Sequence, residues 1–221
     1  MPCSMRRSIR SVISLSTLLS APLFAQFGPQ YQYFCEGPRS VDVVDVNGDA
    51  WPDLVYASRQ GLAYLLNDGT GGFGAATIIG SEDIVAGVGD VDQNGLPDVV
   101  TSRDFGAGIH LYLNNGDGQW AEPVLIGASL TANELHVADL DADGDQDIFF
   151  VSTAGELFIT YNTNGYGVFS TPVAIASVAQ MCQAQALDVD GDQDVDLVYS
   201  SPVMAQVRVC GRFQRGDALG V

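Results

Sequence analysis

The 221-residue chain carries 27 acidic side chains against 9 basic ones, for a formal net charge of −18, and every one of the bases is arginine. So little positive charge excludes a binder of nucleic-acid backbones, and the absence of lysine excludes a Walker-type phosphate loop and Schiff-base chemistry. Yet 47% of residues are hydrophobic and only 16% charged, a core-forming composition, so the acids must be concentrated in particular segments.

The chain opens with Met1–Ser11, which holds Arg6, Arg7 and Arg10, followed by the apolar run Val12–Phe24 (VISLSTLLSAPLF). A basic head before a short apolar run with small residues at its end predicts a secretory signal peptide over residues 1–25, cut between Ala25 and Gln26. The run falls short of the ~20 residues that a spanning helix needs, and no other apolar stretch matches it, so no membrane span is expected. The expected location is secreted, extracellular or periplasmic. Beyond the signal, six Arg face all 27 acids, or −21. Cys3 leaves with the signal, and Cys35, Cys182 and Cys210 remain, enough for one disulfide whose pairing the sequence leaves open. Residues 26–210 are read as one repeat region, and 211–221 as a divergent tail.

Within that region one nonapeptide recurs four times: Asp45–Asp53 (DVNGDAWPD), Asp90–Asp98 (DVDQNGLPD), Asp139–Asp147 (DLDADGDQD) and Asp188–Asp196 (DVDGDQDVD). These segments hold 16 of the 27 acids, which is where the charge resides. Each follows a short run of apolar or small residues (Val41–Val44, Val85–Gly89, Leu135–Ala138, Ala184–Leu187). Each precedes a β-prone run beginning at Leu54, Val99, Ile148 or Leu197. In the first three units a second apolar run comes next (Leu62–Leu66, Ile109–Leu113, Leu157–Tyr161). A Gly/Asn turn ending in Phe73, Trp120 or Phe169 then leads to a last short run (Ala76–Ile79, Val124–Ile126, Val173–Ala176). Short runs with Gly/Asn/Asp punctuation and no helical period predict four strands per unit. A repeat of 45 to 49 residues with four strands predicts an all-β fold, a β-propeller of four-stranded blades. About four blades are expected, or part of a seven-bladed ring. The fourth unit lacks its outermost strand, and Phe27–Phe34 stands where that strand would be supplied, so the first strand is expected to close the ring on the last.

The nonapeptide has the chemistry of a hard-cation loop. Calcium takes six to eight oxygen ligands from carboxylates, amides and main-chain carbonyls. Positions 1, 3, 5 and 9 offer side-chain oxygens in every copy: Asp45, Asn47, Asp49 and Asp53; Asp90, Asp92, Asn94 and Asp98; Asp139, Asp141, Asp143 and Asp147; Asp188, Asp190, Asp192 and Asp196. Position 7 (Trp51, Leu96, Asp145, Asp194) varies, so it is assigned a ligating carbonyl and a side chain free to differ. A Gly at position 4 or 6 (Gly48, Gly95, Gly144, Gly191) permits the curl. Carboxylates packed this closely repel one another unless a cation or protons intervene. Up to four structural Ca²⁺ ions are expected, with Kd of the order of 10⁻⁴–10⁻³ M as in extracellular modules. An EF-hand is excluded, because position 12 is Tyr56, Thr101, Phe150 or Tyr199 inside a strand, where that motif needs a bidentate Glu beside a helix.

The pattern D-x-[DN]-x-[DN]-x-x-x-D, followed by an aliphatic strand and then N-x-G-x-G-x-[FW], resembles the FG-GAP/VCBS repeats of integrin-α-type β-propellers. The resemblance spans residues 27 to about 200. It implies a calcium ion in the loop between the first two strands of each blade, ligated by positions 1, 3, 5, 7 and 9. It also implies an extracellular recognition or adhesion role. Four nonapeptides depart from the family's usual seven blades, Ala50 replaces a common Gly at position 6, and Gln93 replaces one at position 4.

No catalytic motif of the G-x-S-x-G or H-E-x-x-H kind is present. His110 and His136 are strand residues best read as packed or surface residues, and Trp51, Trp120 and Tyr166 as a binding rim or as blade-end packing. Arg215-Gly216-Asp217 reads as a chance tripeptide. The expected function is a non-enzymatic, calcium-binding scaffold for an extracellular protein or glycan. The alternative is a lobe, catalytic or not, of a secreted carbohydrate- or phosphoester-active enzyme, or a fragment of a longer repeat protein.

Overall fold

The computed structural model describes residues 36–81, 83–103, 107–177, 183–192, 195–201 and 206–210. The expected signal peptide, the closing strand Phe27–Phe34, the divergent tail, Cys35 and Cys182 lie outside these residues, as does the side chain of Cys210. Among the described residues there is no helix, and the strands form four antiparallel sheets.

The first sheet joins β1 (Ser40–Val44), β2 (Asp53–Ser58), β3 (Gly61–Leu65) and β4 (Thr77–Gly80) in chain order. The second joins β5 (Asp83–Gly89), β6 (Asp98–Arg103), β7 (Gly108–Tyr112) and β8 (Val124–Gly127). In the third, β9 (Ala132–Ala138), β10 (Asp147–Ser152), β11 (Glu156–Thr160) and β12 (Val173–Ser177) repeat the arrangement. The fourth has three strands, β13 (Gln183–Leu187), β14 (Asp196–Ser201) and β15 (Gln206–Cys210). These are blades of a partial β-propeller, and the strands fall on the runs that the repeat predicts. The nonapeptide links the first two strands of every blade, so its last Asp is the first residue of β2, β6, β10 and β14.

Alternation places apolar residues on both faces of each sheet, and the core forms between blades. Val55 and Leu62 of the first blade pack with Ala86 and Val99 of the second. Ile109 and Val100 of the second pack with Leu135 and Phe150 of the third. Phe149 and Leu157 of the third pack with Ala184 and Leu197 of the fourth. At Gly87 a Cβ would come within 2.8 Å of the Leu135 side chain, so glycine is what lets β5 and β9 approach.

Polar groups fix the blade-to-blade register. The backbone N–H groups of Ala86 and Ala132 donate to Ser40 Oγ (3.0 Å) and Ser102 Oγ (2.8 Å) of the blade before. At the other end of the strands, Asn114 Nδ2 donates to Val46 O and Asn162 Nδ2 to Val91 O, both at 2.8 Å. Asn162→Ala would leave the Val91 carbonyl and the Gly165 N–H, now paired with Asn162, without partners in a buried place. The expected loss is about 1–3 kcal/mol, read as a lower urea midpoint at unchanged slope.

Candidate metal centre

Each acidic loop wraps its backbone around its own side chains. The carboxylate at position 1 accepts N–H groups from positions 4 to 6. Asp45 takes those of Gly48 (2.8 Å), Asp49 (3.1 Å) and Ala50 (2.7 Å), Asp90 that of Gly95 (2.9 Å), and Asp139 that of Gly144 (3.0 Å). Position 5 caps position 7: Trp51 donates to Asp49 Oδ1, Leu96 to Asn94 Oδ1 and Asp145 to Asp143 Oδ1 at 2.7–2.9 Å. The curl is left-handed at positions 4 and 6 alike. Gly48 and Ala50 have φ of 76° and 68°, Gln93 and Gly95 59° and 87°, and Ala142 and Gly144 59° and 91°. One glycine per loop was expected to suffice. Instead, a non-glycine residue holds the second left-handed position, at a cost that the amide-to-carboxylate bonds offset.

Position 9 is the hub. Asp53, Asp98, Asp147 and Asp196 are buried at the start of their strands. One oxygen accepts the N–H of position 2 of the same loop, from Val46, Val91, Leu140 and Val189 at 2.9–3.0 Å. In the first three blades the other accepts the N–H of the turn asparagine, Asn67, Asn114 or Asn162, at 2.7–2.8 Å. A single carboxylate thereby ties the loop to the turn between the third and fourth strands of the blade.

The structure brings positions 1, 3 and 9 together in three loops. Asp90, Asp92 and Asp98, Asp139, Asp141 and Asp147, and Asp188, Asp190 and Asp196 each offer oxygens lying within 4.8 Å of one another, close enough to hold a metal ion. The first loop forms no such carboxylate triad, because Asn47 stands at position 3 and its amide binds Asp49, donating to Oδ2 (2.9 Å) while its oxygen takes the Asp49 N–H (3.1 Å). Position 5 stands outside the triads, and Asp194 lies outside the described residues. In the third loop, Asp139 Oδ1 and Asp141 Oδ1 are buried with no hydrogen-bond donor, the arrangement that a cation satisfies and water-free protein does not.

The electrostatics agree. Burial, with Asp92 and Asp90 beside it, pushes the Asp98 carboxyl up to about 7 against two stabilising N–H bonds. Burial, with Asp141 and Asp143 nearby, does the same to Asp147, also to about 7. Burial and the charges of Asp143 and Asp139 raise Asp141. Without a metal these groups hold protons that the unfolded chain, with carboxyls near 3.8, releases. Metal-free stability should therefore fall as pH rises from about 4 to about 7 and level off above. A bound cation displaces those protons and reverses the slope, which melting curves across that pH range would read.

Two features escaped the sequence reading. The turn asparagine is a structural node, and the side chain at position 7 is not free. Leu96 lies over Gly48 of the preceding loop and Gly116 of its own turn, and Asp145 Oδ1 accepts from Gln93 Nε2 of the preceding loop at 2.6 Å. Among the aromatics, Trp120 packs against the first interface, tilted on Tyr64 at 6.2 Å, while Trp51 and Tyr166 are exposed. His136 stacks on Phe149 with its Nε2 3.0 Å from Glu134 Oε1, and His110 is buried within β7.

The FG-GAP-like repeat family matches residues 45–101, 90–150 and 139–199, each match running from one acidic loop into the strand after the next. No curated protein matches the chain. A solved structure with a similar fold is an Agrocybe aegerita lectin, described as recognising non-reducing terminal N-acetylglucosamine, at 21% identity and a TM-score of 0.54, over 71% of this chain and 45% of the lectin. The V. cholerae biofilm matrix protein Bap1 aligns at 16% identity and a TM-score of 0.47, over 82% of this chain and 27% of Bap1. The chain thus spans less than half the length of either solved structure.

Proposed function

Because the chain belongs to the FG-GAP-like repeat family, we propose that it is a secreted calcium-binding β-propeller, a non-enzymatic scaffold whose blade-end loops contact an extracellular glycan or protein. The observation that carries the calcium reading is the pair of buried, donor-less oxygens on Asp139 and Asp141, inside a triad completed by Asp147. All the ligands on offer are hard oxygens, the donor set of calcium rather than of zinc or copper. When bound, the ion neutralises the repulsion among the carboxylates and cross-links the loop to the start of the second strand. The residues that hold it are Asp90, Asp92 and Asp98, Asp139, Asp141 and Asp147, and Asp188, Asp190 and Asp196, with Asp45, Asn47, Asp49 and Asp53 in the first loop. Position 5 and the position-7 carbonyls complete the shells.

The scaffold reading rests on the same acids, whose oxygens accept the N–H groups of their own loops and turns. The lectin's ligand supports a glycan as the partner class, since exposed Trp51 and Tyr166 border loops rich in carboxylate and amide groups at the same blade ends. Calorimetric titration of the chelator-stripped protein with calcium should show several binding events with Kd of the order of 10⁻⁴–10⁻³ M. Heat no different from buffer dilution would reject the assignment.

A further inference from the structure

Two contacts join each acidic loop to the next, at equivalent positions in both steps from the first blade to the third. One is buried. Position 2 is held at both of its backbone polar groups: Val46 donates its N–H to Asp53 Oδ2 (2.9 Å), and its carbonyl accepts Asn114 Nδ2 of the following blade (2.8 Å). Asn114 in turn donates its own N–H to Asp98 Oδ1 (2.7 Å), the position-9 carboxylate of the second loop. The next step repeats the pattern. Val91 donates to Asp98 Oδ2 (2.9 Å) and accepts from Asn162 Nδ2 (2.8 Å), and the Asn162 N–H reaches Asp147 Oδ1 (2.8 Å). The position-9 carboxylates of three loops thus lie on one unbroken run of contacts, and every residue along it is buried.

The other contact pairs position 7 with position 4 of the loop before. Leu96 packs over Gly48, and Asp145 Oδ1 accepts from Gln93 Nε2 at 2.6 Å. Each loop is therefore held by its predecessor at two of its assigned ligand positions, 7 and 9.

We infer that the calcium sites of the first three blades are coupled: a filled loop raises the affinity of its neighbour, and Asn114 and Asn162 are the positioning residues that carry the coupling. This coupling presupposes the calcium sites proposed above. Carboxylates without a cation repel one another and press their loop open, whereas a filled loop holds positions 2, 4 and 9 in place. With Val91 and Gln93 held, Asn162 and Asp145 are already placed, so the third loop binds without meeting the whole cost of ordering its ligands. Linkage makes the effect reciprocal, so filling the third loop favours the second equally.

A calcium titration of the isotope-labelled chain, followed by NMR at its backbone amides, reads the two loops separately. The amides of Gly95 and Gly144 donate to the position-1 carboxylates of their own loops, Asp90 (2.9 Å) and Asp139 (3.0 Å). Asp141→Ala takes from the third loop a ligand whose Oδ1 has no hydrogen-bond donor to lose. Two like sites that fill together shift their midpoint by the square root of the coupling factor. Factors of about 5–150 therefore predict that Asp141→Ala raises the calcium midpoint at Gly95 by about two- to twelvefold. Asp92→Ala should raise the midpoint at Gly144 by a similar factor. In a chain that carries Gln93→Ala and Asn162→Ala, adding Asp141→Ala should no longer move the Gly95 midpoint. Alanine suits position 4, since Ala142 holds it in the third loop at the same φ of 59° as Gln93. Should Asn162→Ala fail to fold, Asn162→Ser replaces it. Midpoints that ignore the other loop's ligand, or a dependence that survives the loss of both contacts, would overturn the coupling and leave calcium binding standing. Amide signals that calcium does not move would remove the sites themselves.

Discussion

Replacing Asp147 by Ala should lower the unfolding free energy by about 3–6 kcal/mol, and should do so in chelator as well as in calcium. The carboxylate is fully buried and accepts two buried N–H groups, from Leu140 at 3.0 Å and Asn162 at 2.8 Å. Truncation leaves both donors unsatisfied, at about 1–3 kcal/mol each, and opens a cavity between loop and turn. Asp147→Asn separates the two roles of the residue. Its amide oxygen keeps one of the bonds while its NH₂ faces the other donor, so about half the loss should remain in chelator. In calcium the Asn variant should lose the metal contribution of its loop in addition. Urea titrations of the three proteins, with and without chelator, measure both differences. An Ala variant as stable as wild type in chelator would show that the hub at position 9 carries no structural load.

Much of this arrangement is legible in the sequence, and the reason is local. The strands are set by runs of alternating or continuous apolar residues beside acidic and Gly/Asn turns, so β2, β6, β10 and β14 begin at the last Asp of each nonapeptide as expected. The oxygen-bearing positions 1, 3 and 9 are fixed by a loop that folds on itself, and the three loops with Asp at all of them bring these carboxylates together. What stays hidden depends on neighbours distant in the chain. Nothing around Asn114 or Asn162 shows that its amide reaches a carbonyl 68 or 71 residues earlier. Leu96 and Asp145 share no side-chain chemistry, so position 7 reads as unconstrained until the preceding loop is placed against it. The left-handed conformation of Ala142 is equally silent, while at Ala50 and Gln93 only the glycine common at those positions in similar repeats points to it.

Calcium removal should have the largest effect of all, because it acts on every loop together. An ion that binds only the folded chain adds RT ln(1 + [L]/Kd), so at ten to a hundred times Kd each occupied loop contributes about 1.4–2.7 kcal/mol. Several loops together rival the whole stability of an ordinary domain, roughly 5–15 kcal/mol. The carboxylates drive this dependence from the other side as well. Without the ion, Asp98 and Asp147 keep protons up to about pH 7, and above that pH their charges repel Asp90, Asp92, Asp141 and Asp143 within the same loops. The most direct measurement is the melting temperature near pH 7.5, followed by far-UV circular dichroism in calcium at ten to a hundred times Kd and again in excess chelator. The predicted result is a fall of at least 10 °C in chelator, recovered when calcium is restored in excess and not when magnesium is added alone, as a loss of ~5 kcal/mol or more requires in a domain of this size. Superimposable melting curves in calcium and chelator would contradict the claim that these loops are metal sites.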